Sequence, residues 1–211
     1  MEFIDESTSD QFPEKPGTTD IALIIEGKKM YTVKSILSLA SPVFKTMFSS
    51  NFKEKNVMEI ELPGKTYRDF ENFLMCLSPN KCLDFNDDVI GNLLPLAQEY
   101  QVDSIINKCE NWLLKEIELT EARGYKGDLK MRVAFLLKYF YNSGIYSMSR
   151  VRQRTRTCLV KFKLSTYRSV GTSYERLSDK DKAELFEARI EKLDSLHGYG
   201  CQCKYRDEYF L

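Results

Sequence analysis

Histidine occurs once in the 211 residues, at His197, and a zinc module needs paired Cys and His ligands at set spacing. His197, Cys201 and Cys203 in "HGYGCQC" offer three soft ligands with no paired fourth, so no metal is expected and the segment reads as a flexible tail. Net charge is also missing: Lys and Arg total 31, as do Asp and Glu, which gives no reason to expect a nucleic acid or an anionic membrane as partner. No apolar run approaches the roughly 18 residues of a membrane span; the longest are "IALII" and "VAFLL". The first 17 residues are acidic and polar and lack the basic start and apolar middle of a secretory signal, so a cytoplasmic or nuclear location is expected. Catalytic signatures are absent too. "GKTYRD" lacks the upstream glycine of a phosphate loop, there is no Gly-x-Ser-x-Gly, and the sole histidine stands beside no recognisable nucleophile. Neither an enzyme nor a cofactor is expected. No internal repeat is visible, which argues against a solenoid. Cys76, Cys82, Cys109 and Cys158 lie within or beside apolar patterns, where a thiol acts as a small hydrophobe, so reduced cysteines are expected rather than a disulfide framework.

What is present is a globular composition, 43% apolar, with an uneven charge distribution. Residues 1–121 carry 12 basic and 21 acidic side chains, residues 122–211 carry 19 and 10, and the sign changes near "TEARGYKGD". Along the chain, "DIALIIEGKKMYTV" reads as a hairpin turning at Gly27-Lys28. "TVKSILSLA" predicts a short helix behind Thr32, and Ser41-Pro42 starts another, since Ser is a favoured N-cap, Pro a favoured first residue, and the residue before Pro resists helical angles. Val43, Phe44, Met47 and Phe48 share one stripe of that second helix. "NVMEIELPG" alternates Met58, Ile60 and Leu62 with Glu59 and Glu61, as a strand with one wet face does. Thr66 and Asp69 form a capping-box-like start to the helix bearing Tyr67, Phe70, Phe73, Leu74 and Leu77. A helix begins at Asn86, which Pro95 should kink or divide, and Asp103 starts one with a stripe of Ile106, Cys109 and Trp112/Leu113. Later, "LKMRVAFLLKYFY" is apolar nearly all round, and "SDKDKAELFEARIEKLDSL" predicts a capped amphipathic helix buried through Phe186, Ile190 and Leu193. Between them "RVRQRTRTCLVKFKLSTYRSVGT" is basic and has no clear period. Arg150, Arg152, Arg154, Arg156, Lys161 and Lys163 read as a solvated face, as a complement to the acidic first half, or as a phosphate grip.

The order of hairpin, two short helices at a Ser-Pro corner, strand and helix pairs resembles the BTB/POZ domain. Three segments carry the resemblance: "DIALIIEGKKMYTVKSILSLASPVFKTMF", "MEIELPGKTYRDFENFLMCL" and "NLLPLAQEYQVDSIINKCENWL". Asp20, Lys34, Leu37, Ser41, Phe44, Phe48 and a Leu-Ala-x-x-Tyr run follow in order. Two departures stand out: Val33 occupies a place where many members have His, and "LSPNKCLD" replaces the usual turn. The resemblance implies an α+β class, a small sheet flanked by helical hairpins, followed by an all-helical extension. The BTB/POZ domain is placed over 18–118 on this resemblance, while composition and helical patterning outside it give a disordered head over 1–17, a helical extension over 119–196 and a tail over 197–211.

It also implies an interaction adaptor: a module that pairs with itself or with a relative's BTB domain and docks a cullin scaffold, presenting an unknown protein substrate to a RING-type ubiquitin ligase. Cullin-binding members carry a hydrophobic-x-Glu motif in the loop after the Ser-Pro helix, which Phe52-Lys53-Glu54 matches, and Tyr100 aligns with a scaffold contact. The apolar face made by Ile36, Leu37, Ala40 and Met47 serves as core, as dimer seam, or as both. No kelch repeat or MATH-like sandwich is recognised after the domain, and the alternative is an oligomerisation scaffold that recruits no ligase.

Overall fold

The structure, a computed structural model, describes residues 11–49, 57–78, 81–122 and 128–197. The chain divides into two compact units between Cys109 and Glu110. In the first, strands β1 (Ile21–Ile25) and β2 (Lys28–Thr32) form an antiparallel hairpin, and β3 (Glu59–Glu61) adds in parallel on the other side of β1, giving the order β2-β1-β3. β1 is buried at four of its five positions because it is the central strand, covered on both sides, as its unbroken apolar run requires. The hairpin turns at Glu26-Gly27, one residue earlier than the sequence pattern predicts. Both residues have positive φ, 50° and 73°, the geometry of a two-residue turn that matches strand twist. Glu26, though not glycine, is usefully held there: its carboxylate accepts a 2.8 Å bond from the Tyr67 amide.

Helices α1 (Lys34–Ala40) and α2 (Pro42–Met47) follow, then α3 (Tyr67–Leu77), α4 (Asp87–Glu99) and α5 (Asp103–Ala122), the last running through the division. Their starts are set by local caps. Ser41 accepts from the Phe44 amide, Thr66 from that of Asp69, and Asn86 from those of Asp88 and Val89. Val33, ahead of α1, has no side chain able to cap; Asp20 supplies the acceptor instead, 2.7 Å from the Lys34 amide. Pro95 lies inside one undivided α4. It sits on the exposed side of the helix, so the Gly91 carbonyl that loses its partner stays within reach of water. Residues 11–17, read from composition as part of a disordered head, are described: Phe12 is 7% exposed, its carbonyl accepts from the Tyr31 amide, and the Lys81 ammonium lies 3.8 Å from its ring centre.

The second unit centres on α6 (Leu129–Ile145), against which α7 (Ser149–Leu159), α8 (Leu164–Ser169) and α9 (Thr172–Glu175) pack; α10 (Asp179–His197) packs on α7. Asp128 caps α6 through the Lys130 amide. The buried row of α5 is Ile105, Cys109, Leu113 and Ile117, a four-residue repeat one position from the predicted Ile106. On α10 the buried residues are Leu185 and Ala188, while Ile190, predicted to be buried, is 57% exposed. The ion pairs that Asp181 and Glu184 make to α7 set that rotation of the helix.

Candidate protein-interaction site

The corner between α1 and α2 is built around Ser41, which is fully buried. Its hydroxyl accepts from the Phe44 amide at 3.1 Å and donates to the Tyr100 carbonyl at 2.5 Å, so one side chain caps α2 and ties it to the end of α4. Phe44 is directed inward and stacks on Tyr100 with centroids 4.6 Å apart and planes 8° from parallel; Phe70 and Phe73 close the cluster at 5.6 and 5.5 Å from the Tyr100 ring. Tyr100 is 4% exposed, and burial first, then the Glu99 carboxylate, push its phenol well above the ordinary tyrosine value. The residue aligned with a scaffold contact therefore stands behind the corner and positions it.

The outer side of the corner differs in character. Leu37 is fully buried, whereas Ile36 is 39% and Leu39 91% exposed, and Ala40 and Met47 are half-buried. Leu39 was not singled out by the sequence, although it lies three residues from Ile36 and so on the same helical face. Val57 and Met58, 37% and 74% exposed, precede β3. Lys34 reaches from α1 to this strand, donating to the Val57 carbonyl at 2.8 Å, with its ammonium 5.8 Å from the centre of the Phe48 ring. Phe52 and Glu54 lie outside the described residues.

In the second unit the basic segment is helical. As expected of arginines at alternate positions on a helix, Arg150, Arg152, Arg154 and Arg156 spread to different sides, and each meets a carboxylate. Arg150 pairs with Glu110 at 2.7 Å, Arg154 with Glu121 at 2.5 Å and Arg156 with Glu191 at 3.1 Å. Arg152 binds Asp181 at 2.6 Å and Glu184 at 2.5 Å, donates to the Phe140 carbonyl and lies over the Phe140 ring. A Cβ on Gly144 would come within 3.0 Å of that guanidinium. Burial opposes ionisation of Asp181, but hydrogen bonds from Arg152 and Ser178 outweigh it and hold the carboxyl below its usual range. The complement reading of this segment thus holds within the unit, with Glu110 and Glu121 contributed by the acidic part of the sequence.

Cys76, Cys109 and Cys158 are buried and Cys82 is exposed, all four as free thiols; burial pushes Cys76 up to about 11 and Cys109 up to about 12. Among the described residues no His, Cys, Asp and Glu grouping suits a metal ion, and no helix is long and apolar enough to cross a membrane. Cys201 and Cys203 lie outside the described residues.

A small mixed sheet carrying helical hairpins, with an apolar helix face left open, defines a protein-interaction module. The BTB/POZ domain description matches residues 9–117, and the chain belongs to that family, with further helices after the domain. It is similar to the BTB and MATH domain-containing protein 36 of Caenorhabditis elegans, 27% identical over 86% of this chain and 51% of that protein. It is also similar to the Kelch repeat and BTB domain-containing protein A55 of vaccinia virus, 33% identical over 46% of this chain and 17% of that one. The chain thus spans about half the length of the first relative and less of the second. Among solved structures, the BTB domain of human gigaxonin is 23% identical, covering 44% of this chain and 76% of that one, with a TM-score of 0.38.

Proposed function

We propose that this protein is an interaction adaptor that self-associates through its BTB/POZ domain and links a protein substrate to a cullin-RING ubiquitin ligase. The observation that carries the self-association is Leu39, 91% exposed beside Ile36 on α1. A leucine so placed on an ordered helix, next to a second exposed aliphatic side chain, gains most from a partner surface. Ile36, Leu39, Ala40 and Met47 form the seam, and Leu37 supports it from inside. Replacement of both Ile36 and Leu39 by Glu is expected to turn a dimer into a monomer at micromolar concentration in light scattering, since each anchor of such an interface contributes about 2 kcal/mol. A dimer that persists in this variant removes the seam from α1.

Scaffold binding is assigned to Phe52 as an apolar anchor and Glu54 as an acceptor at its edge, in the segment after α2, with Tyr100 positioning the corner from behind. The support is the match of the Phe-x-Glu pattern in kind and place within a BTB/POZ domain. In a pull-down with purified cullin, the Phe52→Ala, Glu54→Ala variant is expected to lose about 2 kcal/mol or more, roughly 30-fold in affinity, while remaining folded. No binding by the wild type at micromolar concentration rejects the ligase role. A dimer surviving that result leaves the narrower reading, a BTB-mediated oligomerisation scaffold without ligase recruitment.

A further inference from the structure

On α10 the sequence assigns Phe186, Ile190 and Leu193 to one buried stripe, at i, i+4 and i+7. The fold turns Leu185 and Ala188 inward instead, which leaves Phe186 and Leu193 half-buried and Ile190 57% exposed. Carboxylates flank the stripe. Glu184, Glu187, Glu191 and Asp194 follow one another at steps of three and four residues and so form a row along the helix. Two of them have their cations on α7, Glu184 with Arg152 and Glu191 with Arg156. Glu187 and Asp194, three residues before Ile190 and four after it, are exposed and meet no cation among the described residues. Lys180, also exposed, stands seven residues before Glu187, as Glu187 stands seven before Asp194, so the three share one flank of the helix. A segment that covers this face needs apolar side chains for the stripe, two cations opposite Asp194 and Glu187, and an anion opposite Lys180.

Residues 198–211, which follow α10 and lie outside the described residues, have that order. Lys204 and Arg206 bracket Tyr205, Glu208 comes next, and Tyr209, Phe210 and Leu211 follow. We propose that this segment doubles back along α10 as a strap, with Lys204 at Asp194, Arg206 at Glu187, Glu208 at Lys180 and the Tyr205 ring on Ile190. Side chains of an extended segment alternate, so residues 204, 206 and 208 all point to the charged flank while Tyr205 and Tyr209 turn to the other side, towards the stripe. Those charges advance by about 7 Å at each step, against about 10 Å on the helix, and the long Lys, Arg and Glu side chains bridge the difference. Chain length suffices: fully extended, residues 198–211 span up to about 45 Å, whereas Phe186 and Leu193 lie about 10 Å apart along the axis. Gly198 and Gly200 stand where the chain has to reverse, the place that asks most of the backbone. Tyrosine suits a half-open stripe, since its ring covers the aliphatic side chains and its hydroxyl stays in water. Tethering decides between this occupant and a separate protein, because a short linker gives the segment an effective concentration on the order of millimolar at the ridge.

The test is nuclear magnetic resonance of the full chain with isotope-labelled isoleucine methyl groups, the Ile190 signal being identified by its loss in Ile190→Val. A through-space contact between the Ile190 methyl and the Tyr205 ring protons is expected, and Tyr205→Ala should abolish it and move the methyl signal. Glu187→Lys and Arg206→Glu should each lower the docked-to-free ratio about threefold, as the loss of an exposed ion pair does, and the two together should restore it. Three results overturn the proposal. One is an Ile190 methyl that Tyr205→Ala leaves unchanged, since the ridge is then empty or filled by something else. Another is a contact seen only between differently labelled copies in a mixed sample, which makes a second copy the occupant. The third is a double exchange as weak as its parents, which removes the pairing of Arg206 with Glu187.

Discussion

Phe44→Ala is expected to destabilise the first unit by about 4 kcal/mol, the cost of removing a fully buried aromatic ring whose cavity cannot close. The cavity stays open because its walls are stiff: Tyr100 lies 4.6 Å away in a stacked arrangement, is itself held against Phe70 and Phe73, and has its carbonyl engaged by Ser41. Phe48, the residue that ends α2, loses the stacked ring 5.8 Å away as well. Phe44→Leu keeps most of the volume but not the stacking, and should cost about 1.5 kcal/mol. Urea denaturation of both variants measures the difference, and near-ultraviolet circular dichroism reports whether the tyrosine cluster loosens. A cost for alanine near that for leucine would show that the corner does not depend on the aromatic stack. Because α2 leads directly into the segment bearing Phe52 and Glu54, the alanine variant is also expected to weaken scaffold binding without touching either proposed anchor.

Glu110→Ala should cost about 3 kcal/mol, again read by urea denaturation of the full chain. Glu110 is 5% exposed, and its carboxylate does two things. It accepts the amides of Arg150 at 2.9 Å and Val151 at 3.3 Å, capping α7, whose own N-cap residue Met148 has no side-chain acceptor. It also binds the Arg150 guanidinium through Nε at 2.8 Å. Alanine leaves two helix-start donors without an acceptor at a buried place, although Arg150, 52% exposed, can be rehydrated, which keeps the cost at the low end for a broken buried pair. Glu110→Gln retains a neutral oxygen for capping and should cost about 1 kcal/mol, so the gap between the variants isolates the charge. Faster hydrogen exchange at the Val151 amide in the alanine variant locates the damage at the start of α7. Equal and small costs for the two variants would mean that α7 starts without help from α5.

The helix starts at Ser41, Thr66 and Asn86 were readable because a cap is a local event, a side-chain oxygen meeting an amide two or three residues on. The start of α7 was not, since its cap comes from Glu110, forty residues earlier in the chain. For the same reason its alternating arginines carried no period: the partners that explain each one lie on α5 and α10. The hairpin turn was misplaced by one residue because Glu26, in a conformation that favours glycine, is held there by the amide of Tyr67. On α1 and α2 the pattern offered Ile36, Leu37, Ala40 and Met47 as core, seam or both, and passed over Leu39; the fold buries Leu37 and leaves Ile36 and Leu39 exposed. A seven-residue helix shows its apolar residues in sequence and not which of them a neighbouring helix covers.

By itself the sequence determined the fold class, the Ser-Pro corner, the BTB/POZ family and the interaction role that follows from it, because these rest on short-range spacing and on an ordered series of local signals. Only the tertiary structure decided that Leu37 faces in and Leu39 out, that Tyr100 stands behind the corner, and that α10 turns Ile190 to solvent while its carboxylates hold Arg152. Rotation of a helix about its axis is chosen by whichever face gains most from distant neighbours, and that balance between apolar burial and ion pairing is invisible until the neighbours are in place.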